Sequence, residues 1–379
     1  MAKPSSNNPD KIIFKGLDGV YADVTAISEV HAQEAVLTYR GYRINELAEH
    51  KTWEEVAYLI WHGELPNAKQ LANFIQFEKT HRNISPTLSR LICSLPSSAH
   101  PMDRLRTAIS FMGCEDIGAN DHSPLGLMER SVLMFAKLPT IVATIYRTDK
   151  RMPIIEPNPK LDYIDNFFHM TLGGKPDPVI KRAFDVSMTL YAEHSFNAST
   201  FAARVVTSTL SDIYSAVTAG IGALRGPLHG GANEAVMGTL QDARDAGGVD
   251  KYLAGVFARK EKVIGFGHRV YKNGDSRVPT MTKYFHNVAK LKRREDLIAL
   301  SDELAAAIAR EKNLFPNLDY PAGPTYALMG FPESIFTPMF VMSRITGWTA
   351  HVMEQLSDNR IIRPLSAYNG QKPRKLPKK

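Results

Sequence analysis

The clearest periodic signal lies near the end of the chain. In TPMFVMSRITGWTAHVMEQL (337–356), Val341, Ile345, Trp348, Val352 and Leu356 step by four, three, four and four, which lines one helix face. Thr337 predicts its cap and Pro338 its first helical position. TWEEVAYLIWHGELP (52–66) opens with Thr52 and has Glu55 three residues on, a capping box, and it stops at Gly63 with Pro66 beyond. Residues 101–115 and 126–147 also read as helices, as does ANEAVMGTLQDA (232–243). RMPIIEPNPKLDY (151–163) carries three prolines and reads as a loop. Residues 12–45 mix β-branched and aromatic residues with Gly16, Gly19 and Gly41, the signature of short strands and turns. The expected class is all-α, with a small β region near the N-terminus.

Two stretches, 184–224 and 337–356, are small or apolar on nearly every side, so they belong in the centre of a large core or at a subunit interface. The more polar block between them predicts a division into two helical domains. Residues 1–225 and 331–379 form the larger, and 226–330 the smaller. The most membrane-like window, 205–224, contains Asp212 and many Ser, Thr, Ala and Gly residues, and it reads as one buried helix, not a span.

Composition changes this picture little. Over 379 residues, 44% hydrophobic and 22% charged is an ordinary globular balance. The net charge of +7 hints at nucleic acid, but the tail QKPRKLPKK (371–379) carries five of those charges and no acid. The body is close to balanced, and no nucleic-acid partner is expected. Two cysteines, Cys93 and Cys114, build neither a disulfide framework nor a metal site. The opening MAKPSSNNPDK has no apolar core of a secretory signal, which leads to an expectation of a cytoplasmic protein.

Four stretches carry unusual chemistry. In YAEHSFNASTF (191–201), His194 precedes Asn197, a helix N-cap, and a core histidine beside a cap suffices to explain it. In GPLHGGANEAV (226–236), His229 lies before a helix start, whose dipole disfavours imidazolium. A neutral imidazole there can donate to a carbonyl oxygen gaining charge, with Gly230 and Gly231 admitting the substrate; a turn histidine satisfied by backbone is the competing reading. In IGFGHRVYKNGDSR (264–277), a glycine turn and His268 are followed by Arg269, Lys272 and Arg277, which suits phosphate or carboxylate. In FPNLDYPAGP (315–324), Asp319 sits among prolines and apolar residues; poor solvation would raise its pKa and suit a general base, whereas a turn cap is the bland alternative. The spacings match no dinucleotide fingerprint, no HExxH metal motif and no GxSxG elbow, so no metal is expected.

Taken together and in order, AEHSFNAST, GPLHGGANEAV, GFGHRVYKNGDSR, PNLDYPAGP and MSRITGWTAHVMEQ followed by IIRPLSAY closely resemble the citrate synthase family, most nearly its short bacterial citrate synthases and 2-methylcitrate synthases. The match runs from YRGY (39–42) to Tyr368. The resemblance implies a two-domain all-α homodimer with its site in the interdomain cleft. It implies condensation of an acyl-CoA with oxaloacetate, then thioester hydrolysis, with no metal and no permanently bound cofactor. Carried over residue by residue, Asp319 would be the base, His229 the enolate stabiliser and His268 the group polarising the ketone. His194, Arg277 and Arg344 would hold oxaloacetate, with Arg363 supplied by the partner subunit. Coenzyme A would lie along Lys262, Val263, Ile264, Gly265 and Phe266, with Lys272 near its phosphates and Asn317 near the thioester arm. Lys79 or Arg82 would assist with anionic ligand. AEHSFNAST is closer to the 2-methylcitrate branch and GHRVYKNGDSR to general citrate synthases, so use of both acetyl-CoA and propionyl-CoA is expected. A non-catalytic acyl-CoA and dicarboxylate binder is the alternative, and the intact His229, His268 and Asp319 argue against it.

Overall fold

The computed structural model describes residues 13–268, 270–271 and 274–377; Arg269, Lys272, Lys378 and Lys379 therefore lie outside the described residues. As the residue pattern predicts, the protein is all-α with one small sheet. The described residues open with a 3₁₀ turn (Lys15–Leu17) and extended chain, then form an antiparallel sheet in sequential order, β1 (Ser28–His31), β2 (Val36–Tyr39) and β3 (Tyr42–Arg43). Helices follow: α1 (Ile44–His50), α2 (Trp53–His62), α3 (Ala68–Thr80), α4 (Pro86–Ser94), α5 (Pro101–Glu115) and α6 (Pro124–Asp149). Next come α7 (Tyr163–Leu172), α8 (Pro178–Tyr191), α9 (Ala198–Ser208), α10 (Ile213–Leu224), α11 (Ala232–Asp245) and α12 (Val249–Ala258). The last four are α13 (Val278–Leu291), α14 (Glu295–Lys312), α15 (Asp319–Leu328) and α16 (Phe336–Ser357).

Local chemistry sets most of these ends. The Thr52–Glu55 capping box starts α2, and Gly63 ends it in the left-handed region at φ 85°. Asn197 starts α9, its Oδ1 accepting from the backbone N–H groups of Ser199 and Thr200.

Two expectations are corrected. Residues 205–224 are not one helix. The chain breaks after Ser208, Leu210 takes φ 64°, and Asp212 caps a fresh helix by accepting from the Ser215 N–H at 2.9 Å. An aspartate that can serve the orphan donors of a new helix outweighs continuity of the apolar pattern. Thr337 does not cap α16, because a 3₁₀ turn (Glu333–Ile335) runs into the helix and starts it at Phe336. The Thr337 hydroxyl instead reaches α11, where the Glu234 carboxylate and Asn233 Oδ1 accept.

The larger apolar core forms around α16, which is buried on all sides from Phe336 to Val352. The five-residue stripe read from the sequence is thus only part of its packed surface. Gly220 of α10 faces the Trp348 ring, and a Cβ there would come within 3.1 Å of it. Trp348 is wholly enclosed, and burying an apolar side chain of that size stabilises by roughly 3 kcal/mol. A second apolar cluster gathers Val236, Leu240, Leu253, Leu297, Leu304 and Ile308 from α11, α12 and α14. Helices α13 and α15 face both: Met281 and Tyr326 pack in the larger core, Phe285 and Tyr320 in the smaller. The start of α15 is thereby held rigidly where the two cores meet.

Candidate active site

Between the cores lies a cleft of about 2000 Å³. His194, His229, His268, Arg277, Asp319 and Arg344 all line it, although they come from five separate stretches of chain. The segment Lys262–Phe266 and Asn317 line it too.

Asp319 is the first residue of α15. Its Oδ1 accepts a hydrogen bond from the Tyr191 hydroxyl at 2.7 Å. Burial pushes the carboxyl up to about 6, against the opposing influence of the Tyr191 hydrogen bond and the nearby Arg277. Asn317 seats it: its Oδ1 accepts from the Asp319 N–H at 3.1 Å, and its Nδ2 donates to the Gly267 carbonyl at 3.2 Å. A short bridge between Phe266 and Pro316 ties the glycine turn to the approach to α15.

His229 sits just before α11. Burial first, and Arg344 second, lower its pKa to about 3, so the imidazole is neutral. His229 Nε2 lies 2.9 Å from Ser199 Oγ, which also accepts from the Trp348 indole N–H at 3.1 Å. The Ser199 hydroxyl donates to Asn197 Oδ1 at 2.7 Å, an oxygen that also accepts from the backbone N–H groups of Ser199 and Thr200.

The backbone fixes the tautomer of His268. Its Nδ1 accepts from the backbone N–H groups of Val270 at 3.0 Å and Tyr271 at 3.2 Å, so the ring proton belongs on Nε2. Its ring lies 5.0 Å from that of His194 and 4.8 Å from Tyr271.

The cleft floor is cationic. Arg344 is 2% exposed, and its Nε donates to the Tyr191 carbonyl at 2.7 Å. Burial lowers its pKa to about 10, with Glu193 opposing, so it stays charged at neutral pH. Its Nη1 is buried without a partner, as is Nε2 of His194. His194 is held well below the usual imidazole range by burial and by Arg277, His268 and Arg344. Two orphaned buried polar nitrogens in one cleft are costly unless a ligand satisfies them. Arg277 is engaged bidentately by Asp275, at 2.9 and 2.6 Å. Burial alone would lower its guanidinium; Asp275 more than offsets this and raises it.

The structure does not bring every residue named from the sequence to this cleft. Arg82 is buried elsewhere, donating twice to Glu78 and to the carbonyls of Asn158 and Leu161, and Lys79 lies beside it at the end of α3. An arginine already satisfied by a carboxylate within its own helical turn has no fork left for a ligand. Arg363 is exposed in the C-terminal segment and does not line its own chain's cleft. Gly230 and Gly265 also have a packing basis within the chain. A Cβ on Gly230 would meet the Leu224 carbonyl oxygen at 2.7 Å. Gly265 takes φ 89° with Tyr320 and Val236 3.0 Å from where a Cβ would stand. Packing within the chain, before any substrate, requires both.

Several site residues went unread in the sequence. Asp275 lies two residues from Arg277, Ser199 lies five from His194, and Phe340 precedes Arg344 by one turn, with the guanidinium 4.7 Å from its ring. Tyr191 and Trp348 carry no local signal. Lys312, whose Nζ lies 4.2 Å above the Phe257 ring, lines the cleft with Lys260 and Lys262. Among the described residues no cluster of His, Cys, Asp and Glu is arranged to hold a metal ion, and no helix is long and apolar enough to cross a membrane.

Comparison with known proteins gives the same answer from an independent direction. Residues 16–365 match the family model for the citrate synthase C-terminal domain. The chain is 54% identical to a citrate synthase of Mycolicibacterium smegmatis, over 96% of this chain and 97% of that one. It is 51% identical to a 2-methylcitrate synthase of Mycobacterium tuberculosis, over 96% and 92%. The structure superposes on citrate synthase from Pyrobaculum aerophilum with a TM-score of 0.88 at 35% identity, covering 100% of this chain and 98% of that one. It also superposes on the Thermoplasma acidophilum citrate synthase solved as a ternary complex with carboxymethyl coenzyme A and oxaloacetate. That match has a TM-score of 0.92 at 30% identity, over 96% and 98%. With the helical fold and these matches in agreement, the chain belongs to the citrate synthase family and is one of its enzymes.

Proposed function

We propose that the cleft condenses an acyl-CoA with oxaloacetate and then hydrolyses the thioester, giving citrate from acetyl-CoA and 2-methylcitrate from propionyl-CoA. The observation that carries this is the cleft floor: a buried, charged Arg344 with a free Nη1 beside His194 Nε2, facing a carboxyl raised to about 6. A small dicarboxylate satisfies the orphaned nitrogens, and a carboxylate base of that pKa is ionised at neutral pH yet strong enough to take a proton.

Asp319 removes a proton from the carbon beside the thioester carbonyl. Neutral His229 donates a ring N–H to the carbonyl oxygen as it gains charge. His268 Nε2–H donates to the ketone of oxaloacetate and makes its carbon more electrophilic. The enol carbon attacks that carbon, water cleaves the thioester, and the thiol of coenzyme A leaves. Each oxyanion donor is worth roughly 10²–10³ in rate. Arg344, Arg277 and His194 fix which face of the ketone is presented. The mouth cations Lys260, Lys262 and Lys312 suit the phosphates of coenzyme A. Arg363, exposed and remote from its own cleft, is free to complete the site of a second copy in a homodimer. Movement of the 226–330 unit over the rest would exclude water until the carbon–carbon bond has formed.

The test is thiol release from acetyl-CoA and propionyl-CoA with oxaloacetate. One methylene in an apolar pocket is worth about 1–3 kcal/mol, so both donors turn over, with kcat/KM values within roughly 200-fold of each other. Ligand binding without thiol release from either donor refutes the proposal.

A further inference from the structure

We infer that Tyr191 is a positioning residue for the base: its hydroxyl, donated across the cleft floor to Asp319 Oδ1, aims that carboxylate and keeps it ionised at working pH. This rests on the assignment of Asp319 as the base. The geometry comes first. Tyr191 ends α8 and Asp319 begins α15, so the 2.7 Å bond joins two elements that meet only where the two cores meet. The tyrosine ring is 1% exposed and leans on Phe340 with centroids 4.2 Å apart, which leaves the hydroxyl little freedom to aim elsewhere. The backbone of the same residue has a separate task, since its carbonyl accepts from Arg344 Nε at 2.7 Å. The hydroxyl thus speaks to the base and the carbonyl to the substrate-binding arginine, and the two can be separated by mutation.

The surroundings explain why a donor is needed. The groups facing Asp319 are Arg277 and Asp275 from the turn before α13, Arg344 from α16, Tyr191 from α8 and Tyr326 from its own helix. His229 and His268 share the cleft. Arg277 is already bound bidentately to Asp275, and Arg344 to the Tyr191 carbonyl. The Tyr191 hydroxyl, by contrast, donates to the Asp319 carboxylate at 2.7 Å. Burial pushes the Tyr191 phenol itself far upward, with the Asp319 charge adding to this, so it remains a donor throughout the working pH range. A hydrogen bond to the ionised form favours that form. Its single donor also orients the carboxylate so that Oδ2 is the oxygen left to take the proton.

The experiment is Tyr191→Phe in the full-length protein, with thiol release followed from pH 5 to 9 using acetyl-CoA and propionyl-CoA. The acid limb of kcat/KM is expected to move upward by about one to two pH units, the size of one hydrogen bond to a charged carboxyl. Activity near pH 8.5 should fall by less than about tenfold, since a more basic carboxylate is the stronger base. KM for oxaloacetate should stay put. A uniform loss at every pH with the limb in place would reduce Tyr191 to packing and overturn the inference, as would an unchanged profile. A second readout needs no turnover: ¹³C-labelled aspartate, with the Asp319 signal assigned by its loss in Asp319→Asn, reports the carboxyl midpoint directly. If the wild-type protein releases no thiol but the midpoint still rises in Tyr191→Phe, the reaction assignment fails and the Tyr191–Asp319 coupling stands. If the midpoint does not move, the coupling fails whatever the reaction.

Discussion

Replacing Asp319 with Asn should abolish turnover and at the same time make the protein more stable. The carboxyl rises from 3.8 to about 6 on folding, because burial costs the charged form more than Tyr191 and Arg277 return. At about 1.36 kcal/mol per tenfold change in proton affinity, holding Asp319 ionised at pH 7.5 costs up to about 3 kcal/mol. Its exposure to an open cleft reduces that figure, and about 1–3 kcal/mol is the expected gain. Asparagine keeps the shape and can still accept from the Tyr191 hydroxyl. The sign follows from the raised folded value. Between 3.8 and about 6 the native protein binds the proton and the unfolded chain does not, so the wild type gains stability as pH falls through that window. The advantage of Asp319→Asn is therefore fully present above pH 6 and fades toward pH 4. Urea denaturation of both proteins at pH 7.5 and pH 4.5 measures it, alongside thiol release. A variant less stable than wild type at pH 7.5 would mean that the carboxylate is not strained in the native state. Retained turnover would remove Asp319 from the base role.

Ser199→Ala leaves the buried Trp348 indole N–H without an acceptor and His229 Nε2 without its hydroxyl partner; about 1–3 kcal/mol of stability and roughly ten- to a hundredfold in kcat should be lost. Adding Trp348→Phe should reduce the stability cost of Ser199→Ala but not its kinetic cost, and a double-mutant cycle in urea decides this. Arg344→Leu removes the buried guanidinium of the cleft floor and should raise KM for oxaloacetate at least about a hundredfold with KM for acyl-CoA little changed, as steady-state titration of each substrate would show. For the wild type, kcat/KM should fall as pH drops through about 6, where Asp319 protonates, with no separate His229 limb above pH 4. Gly347→Ala should lower Tm sharply, since a Cβ would stand 2.6 Å from the Ala192 carbonyl oxygen and 2.2 Å from Glu193 Oε2; unchanged melting would mean that α16 can shift away from that loop.

The chain's periodicity and caps were enough to establish an all-helical fold, because Thr52, Asn197 and Gly63 act on backbone groups within a turn of themselves. The ordered motifs around His194, His229, His268 and Asp319 gave the family, since each is a short run of residues with its own local requirement. Long-range facts were out of reach. Nothing near Tyr191 signals that its hydroxyl meets Asp319, 128 residues away, or that Trp348 shares Ser199 with His229. Local pattern also misled where a distant partner took precedence. Arg82 resembled a free cation until Glu78 and two carbonyls claimed it. Sequence determined which groups this protein brings to its chemistry. Only the tertiary structure decided their protonation states, because burial and charge proximity are properties of the packed cleft and of no segment alone.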